Sequence, residues 1–173
     1  MIKVWFLFLT IFLFLGCSSK KEQAFIEEYK ESKVQSKKLQ KTEKIRLYDK
    51  QEGTTKVLIT LTYLFKKEIK NKKEDEVFIV GIYVDENETQ DSSIESFSMR
   101  LNAKAANSIK VLEENSQYLK NIPFVFPWNK FYLVSFPYST RKSMYLNINH
   151  VYYGEERAFF AKVAKYVLDK KAF

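Results

Sequence analysis

The chain is poor in the residues that most often carry chemistry or brace a fold. Of 173 residues, one is cysteine, one histidine, three are proline and four glycine. A single thiol closes no disulfide within its own chain. One thiol and one imidazole also fall short of the four ligands of a structural zinc site. Four scattered glycines form no glycine-rich turn, so a phosphate-cradling loop is excluded. Scarce glycine and proline together with 16% aromatic residues are unlike a disordered polymer.

The one cysteine, Cys17, stands at the end of the longest apolar run. Lys3 is the only charge before it, and Val4 to Leu15 is apolar apart from Thr10. As a helix these residues would rise about 18 Å, short of the roughly 30 Å hydrocarbon core of a bilayer. A basic start, a short apolar stretch and small residues after it are the parts of an export signal. The exit, Leu13-Phe14-Leu15-Gly16-Cys17-Ser18-Ser19, resembles the lipobox of bacterial lipoproteins. That resemblance implies cleavage between Gly16 and Cys17, a diacylglyceryl group on the thiol and a further acyl chain such as palmitate on the new amine. An acylated cysteine accounts for a lone thiol in an exported chain better than a free one exposed to oxidation. Two or three acyl chains anchor stably, whereas one binds only marginally. Ser18 is not the aspartate that marks inner-membrane retention in many such lipoproteins, so the resemblance favours the outer membrane, with the domain facing the periplasm or the cell surface.

The formal net charge is +8. Export argues against nucleic acid as the partner, and no nucleic-acid-binding fingerprint is present. A solvated basic surface is the simpler reading, because exposed charges are screened beyond roughly 8 Å. Lys20 and Lys21, beside the lipid, would each add about 1 kcal/mol of attraction to anionic headgroups.

Three regions are expected: a signal peptide over 1–16, a lipidated polar tether over 17–42 and one domain over 43–173. The tether is lysine-rich, and its scattered apolar residues support at most a short, weakly amphipathic helix. Beyond it the period changes to two. In "TKVLITLTYLFK" Val57, Ile59, Leu61, Tyr63 and Phe65 share one face. In "EVFIVGIYVD" Phe78, Val80, Ile82 and Val84 oppose Val77, Ile79 and Tyr83, which predicts a strand covered on both faces. Phe97, Met99 and Leu101 alternate, as do Tyr132, Val134 and Phe136, and Met144, Leu146 and Ile148. Weaker strands are expected at "KIRLY" and "SIKVL". The pattern predicts an all-β fold, an antiparallel immunoglobulin-like sandwich of about seven strands. It is similar to small bacterial lipoproteins with immunoglobulin-like folds. Residues 155–171 are open between a closing strand and a C-terminal helix. Phe159, Val163 and Val167 recur every four residues, yet Phe, Val and Tyr favour strands and Gly154 suits a hairpin.

Few residues offer chemistry. Asp85, Asn87, Thr89 and Asp91 alternate like the start of a calcium loop, but Gln90 stands where the turn glycine belongs. Asp85-Glu86-Asn87-Glu88-Thr89 also resembles the extended acceptor of bacterial oligosaccharyltransferases, which implies a glycan on Asn87 with Asp85 and Thr89 as recognition residues. His150 has Ser143 and Glu155 near it in sequence, but no nucleophile elbow frames any serine, and an ordinary strand-end role is expected. No catalytic residue, metal site or cofactor is assigned. The densest aromatic run is "IPFVFPWNKFYLVSFPY", where Pro123 and Pro127 keep Phe124, Val125 and Phe126 from forming a helix or central strand, and where the large rings of the loop are Phe124, Phe126 and Trp128. Exposed, these three would be a binding loop for an envelope protein or a glycan; folded back, they would be core. The sequence thus predicts a non-enzymatic, membrane-anchored lipoprotein that binds or shapes the envelope. The rival readings are an assembly factor docking to an outer-membrane export machine and, last, a tethered hydrolase.

Overall fold

Alternation of apolar and polar residues fixes which face of each strand turns inward, and the strands pair accordingly. The computed structural model describes residues 30–35, 37–65, 73–85 and 93–162. The chain divides between Val34 and Gln35, and the domain begins after that point. Residues 30–35 and 37–39 are helical. Among the described residues nine strands follow: β1 (Thr42–Tyr48), β2 (Thr55–Tyr63), β3 (Glu76–Val84), β4 (Phe97–Leu101), β5 (Lys104–Ala105), β6 (Ser108–Leu112), β7 (Lys130–Phe136), β8 (Ser143–His150) and β9 (Gly154–Ala161). All pairings are antiparallel. They form a five-stranded sheet in the order β1-β2-β3-β7-β6 and a four-stranded sheet in the order β5-β4-β8-β9. The all-β sandwich is therefore as expected, with nine strands in place of about seven. The two additions are the two-residue β5 and β9, which settles the ambiguous tail as a strand as far as Ala161.

The reason for β9 is local. Gly154 has a φ of +80°, a conformation that glycine adopts without steric cost, and it closes a hairpin in which His150 faces Gly154 and Met144 faces Phe160. Ala158 and Phe160 then point into the core, and β8 gains hydrogen-bonding partners along a second edge. Residues 163–173, including Val163 and Val167, lie outside the described residues.

One core joins the two sheets. Ile59, Leu61, Phe78, Val80, Val134 and Phe136 of the larger sheet pack with Met99, Met144, Leu146, Ile148 and Phe160 of the smaller. At roughly 25 cal/mol per Å2 of apolar area, this burial is the main force holding a domain without disulfides. Phe65, expected on the buried face, lies two residues beyond the end of β2 and is exposed. One end of the core carries a buried ion pair. Glu76 is 4% exposed, accepts from Tyr63 Oη at 2.5 Å and from Ser139 N at 3.0 Å, and meets Lys162 Nζ at 2.8 Å. Its oxygens are thus filled by β2, by the loop before β8 and by the residue after β9, which compensates the cost of burying charge.

The edges differ. β1 and β9 come together, with the Lys41 ammonium donating to the Ala161 carbonyl. Burial holds the Lys41 pKa below the usual lysine value. At the other side, the four-stranded sheet ends at short β5, so the inward residues of β6, Ile109 and Val111, are 39% and 73% exposed.

Candidate functional site

The outer face of the larger sheet is built by the residues that alternate with the core. β1 sends out Lys44 and Arg46 between buried Ile45 and Leu47. β2 adds Leu58 and Thr60, and β3 adds Ile79, Gly81 and Tyr83. Between β6 and β7 the chain crosses this face instead of returning directly. Leu119 and Ile122 of the crossing segment are buried against Ile79 of β3 and Phe131 of β7. Gly81 makes the fit possible. A Cβ there would stand 2.6 Å from both the Phe131 ring and Thr60 Oγ1, so the absent side chain is the space the ring occupies. β3 is accordingly covered on both faces, as its continuous apolar run predicts.

Three tight turns shape the crossing segment. The Ile122 N–H donates to Leu119 O at 3.1 Å, with Lys120 at φ −58° and ψ 126° and Asn121 at φ +60°. Those angles make a type II turn, whose third position favours asparagine or glycine. Lys38 Nζ donates to Lys120 O at 2.8 Å and ties this turn to the helical residues before β1. Burial lowers the Lys38 pKa from the ordinary lysine value. Pro123 follows, and then Phe124 at φ +63°, a left-handed conformation costing a bulky side chain about 1–3 kcal/mol. The Lys44 ammonium stands 3.3 Å from the Phe124 ring centroid, a cation–π contact that holds the ring over β1. Last, Asn129 N–H donates to Phe126 O at 3.1 Å across Pro127 and Trp128, a turn with proline in its second position.

This last turn brings Phe126 and Trp128 side by side, with ring centroids 5.0 Å apart and planes only 3° from parallel. They are 41% and 60% exposed. The run from Ile122 therefore does both things the sequence left open: its first half folds back, and its second half stands out. Under the stacked rings lies a groove of about 290 Å3, lined by Lys44, Arg46, Leu58, Tyr83, Phe124 and Asn129 among others. Its walls are aromatic, its floor holds two cations and, among the described residues, no carboxylate, and it offers hydroxyl and amide groups at the rim. Sequence reasoning found the loop and missed the floor. Lys44 and Arg46 alternate with the buried Ile45 and Leu47 of β1, but nothing local says which loop crosses above them.

A second recess, of about 380 Å3, lies on the outer face of the smaller sheet between Ser98, Arg100, Asn147, Asn149 and Glu155. It has no aromatic wall, and Asn147 Nδ2 already donates to Glu155 Oε1 at 2.8 Å. The aromatic groove is therefore the better candidate despite its smaller volume.

His150 is not at either place. It is 1% exposed, stacks on Tyr153 with centroids 4.7 Å apart and planes 11° from parallel, and meets Phe97 edge-on at 4.6 Å. Its Nδ1 accepts from the Tyr152 and Tyr153 N–H groups at 3.2 and 3.4 Å, which shapes the β8–β9 turn. Ser143 is at the opposite end of β8, about 23 Å away along the strand, and Glu155 turns outward to Asn147. The three residues are not brought together.

Gly16, Cys17, Asn87, Thr89 and Asp91 lie outside the described residues. Asp85 follows β3, and its N–H donates to Lys56 O at 2.9 Å. Among the described residues, no cluster of three or more histidine, cysteine or acidic side chains is arranged to hold a metal ion, and no helix is long and apolar enough to cross a membrane. No protein family, curated protein or solved structure matches the chain.

Proposed function

We propose that this chain is a lipid-anchored, non-enzymatic binding protein of the bacterial cell envelope, held at the outer membrane through Cys17 and capturing its partner in the aromatic groove. The stacked pair Phe126 and Trp128 carries the reading. Large aromatic side chains normally bury themselves, and two of them standing in water at the mouth of a groove, on a loop braced by three turns, mark a recognition surface. The anchor rests on the short apolar leader and the single cysteine that ends it. The non-enzymatic part is supported by His150, whose imidazole is committed to a turn and to two aromatic rings.

Two variants test the two halves. Cys17→Ser should remain unprocessed and lose its acyl mass, and intact mass spectrometry of the wild type should find acyl chains at Cys17 and would register a glycan on Asn87. An unmodified thiol ends the anchoring half. The double variant Phe126→Ser, Trp128→Ser should fold normally and lose at least ten-fold in retention on isolated envelope fragments. Retention equal to wild type ends the groove half.

A further inference from the structure

We infer that the groove receives a carboxylate-bearing sugar residue of a glycan, an assignment that rests on the binding reading above and names its ligand class. The lining residues divide into two chemistries. Phe126 and Trp128 form a flat apolar wall with an open face. The C–H face of a pyranose ring stacks on such a wall, and its hydroxyls then point sideways to polar neighbours. Thr60, Tyr83 and Asn129 supply those neighbours. Lys44 and Arg46 supply the second chemistry. They are two residues apart on one strand, so both project from the same face, and among the described residues no aspartate or glutamate lines the groove to neutralise them. A guanidinium beside an ammonium is suited to a carboxylate, which arginine can bind through two parallel hydrogen bonds.

The placement also argues against other occupants. An extended peptide gains affinity by adding a strand to an open sheet edge. This groove lies over the face of β1 to β3, where β2 and β3 are each paired on both sides. An acyl chain would strip water from Lys44 and Arg46 without pairing them, which is costly. The volume is just below the roughly 300–1,000 Å3 typical of small-molecule clefts, fit for a ring-sized unit.

The test uses the full processed chain in detergent and calorimetric titration with matched probes: oligogalacturonate against its methyl ester, sialyllactose against lactose, and polyglutamate as an acidic peptide. At least one acidic sugar should bind ten-fold or more tightly than its neutral counterpart. Trp128→Ala and Arg46→Met should each reduce that binding at least ten-fold, while Asn149→Ala on the other sheet leaves it unchanged. Failure of both acidic sugars to bind overturns the inference, as does equal binding of the neutral probes or tighter binding of polyglutamate. If none of the sugars binds and the Phe126, Trp128 double variant still loses its hold on envelope fragments, the ligand class is wrong and the binding role stands. If that variant loses nothing, the role itself has failed.

Discussion

The two outer faces of the sandwich are made by the same alternation of residues and end in different states. On the larger sheet, the segment between β6 and β7 crosses the face and buries Ile79, Phe131, Leu119 and Ile122 in a second, smaller core. On the smaller sheet, Ser98, Arg100, Asn149 and Glu155 remain exposed. A strand under a covering segment reads as a continuous apolar run, as in "EVFIVGIYV", whereas a strand with one wet face reads as "FSMRL" or "SMYLNIN". The covered face is also the one that acquires a groove with walls, because a crossing segment stands above the sheet and leaves space beside it. A bare face offers only a shallow recess.

This contrast can be broken at several points. The largest effect is expected at Phe131→Ala, which removes the ring filling the space over Gly81 and should cost about 3–5 kcal/mol in chemical denaturation. A loss below 1 kcal/mol would mean that the second core contributes little. Next is Gly81→Ala, whose Cβ would collide with Phe131 and Thr60; overpacking of this kind costs about 1–3 kcal/mol, and the groove should distort with it. The third sits at the β1–β2 turn, apart from both faces. The Glu52 and Gln51 N–H groups donate to Asp49 Oδ1 at 3.0 and 2.7 Å and hold its carboxyl below the ordinary aspartate pKa. A depressed folded-state pKa contributes stability above the unfolded value of about 3.9 and loses it as pH falls through the folded value. Asp49→Asn should therefore flatten a small part of the melting-temperature decline below pH 4, and an unaltered acid limb would contradict the assignment. Smallest is Asn149→Ala on the bare face, expected within about 0.5 kcal/mol of wild type. A larger loss would show that this face is covered after all.

Much of the fold was legible in the sequence because a strand with a buried face declares itself every second residue. β2, β3, β4, β7 and β8 all lie where their alternation predicts, and the weaker β1 and β6 are present too. The tail was ambiguous because Phe159, Val163 and Val167 recur at a helical spacing while Phe, Val and Tyr favour strands; pairing with β8 decided for the strand as far as Ala161. Burial of Glu76 was not foreseen. Nothing near it in sequence announces Tyr63, Ser139 and Lys162, which arrive from three separate elements. The site was half legible for a similar reason. Pro123 and Pro127 marked a loop, and the aromatic residues within it marked interest. The cations below come from β1, about eighty residues earlier in the chain.

The flank of β6, open among the described residues, carries a final consequence for self-association. Two copies aligned antiparallel, so that Ile109 of each covers Val111 of the other, are centred on Lys110, and the two ammonium groups meet head on. Like charge thus opposes the very alignment that burial would favour, which keeps neighbouring copies from zipping into one sheet. Lys110→Ile should bring on concentration-dependent association in light scattering that the wild type lacks.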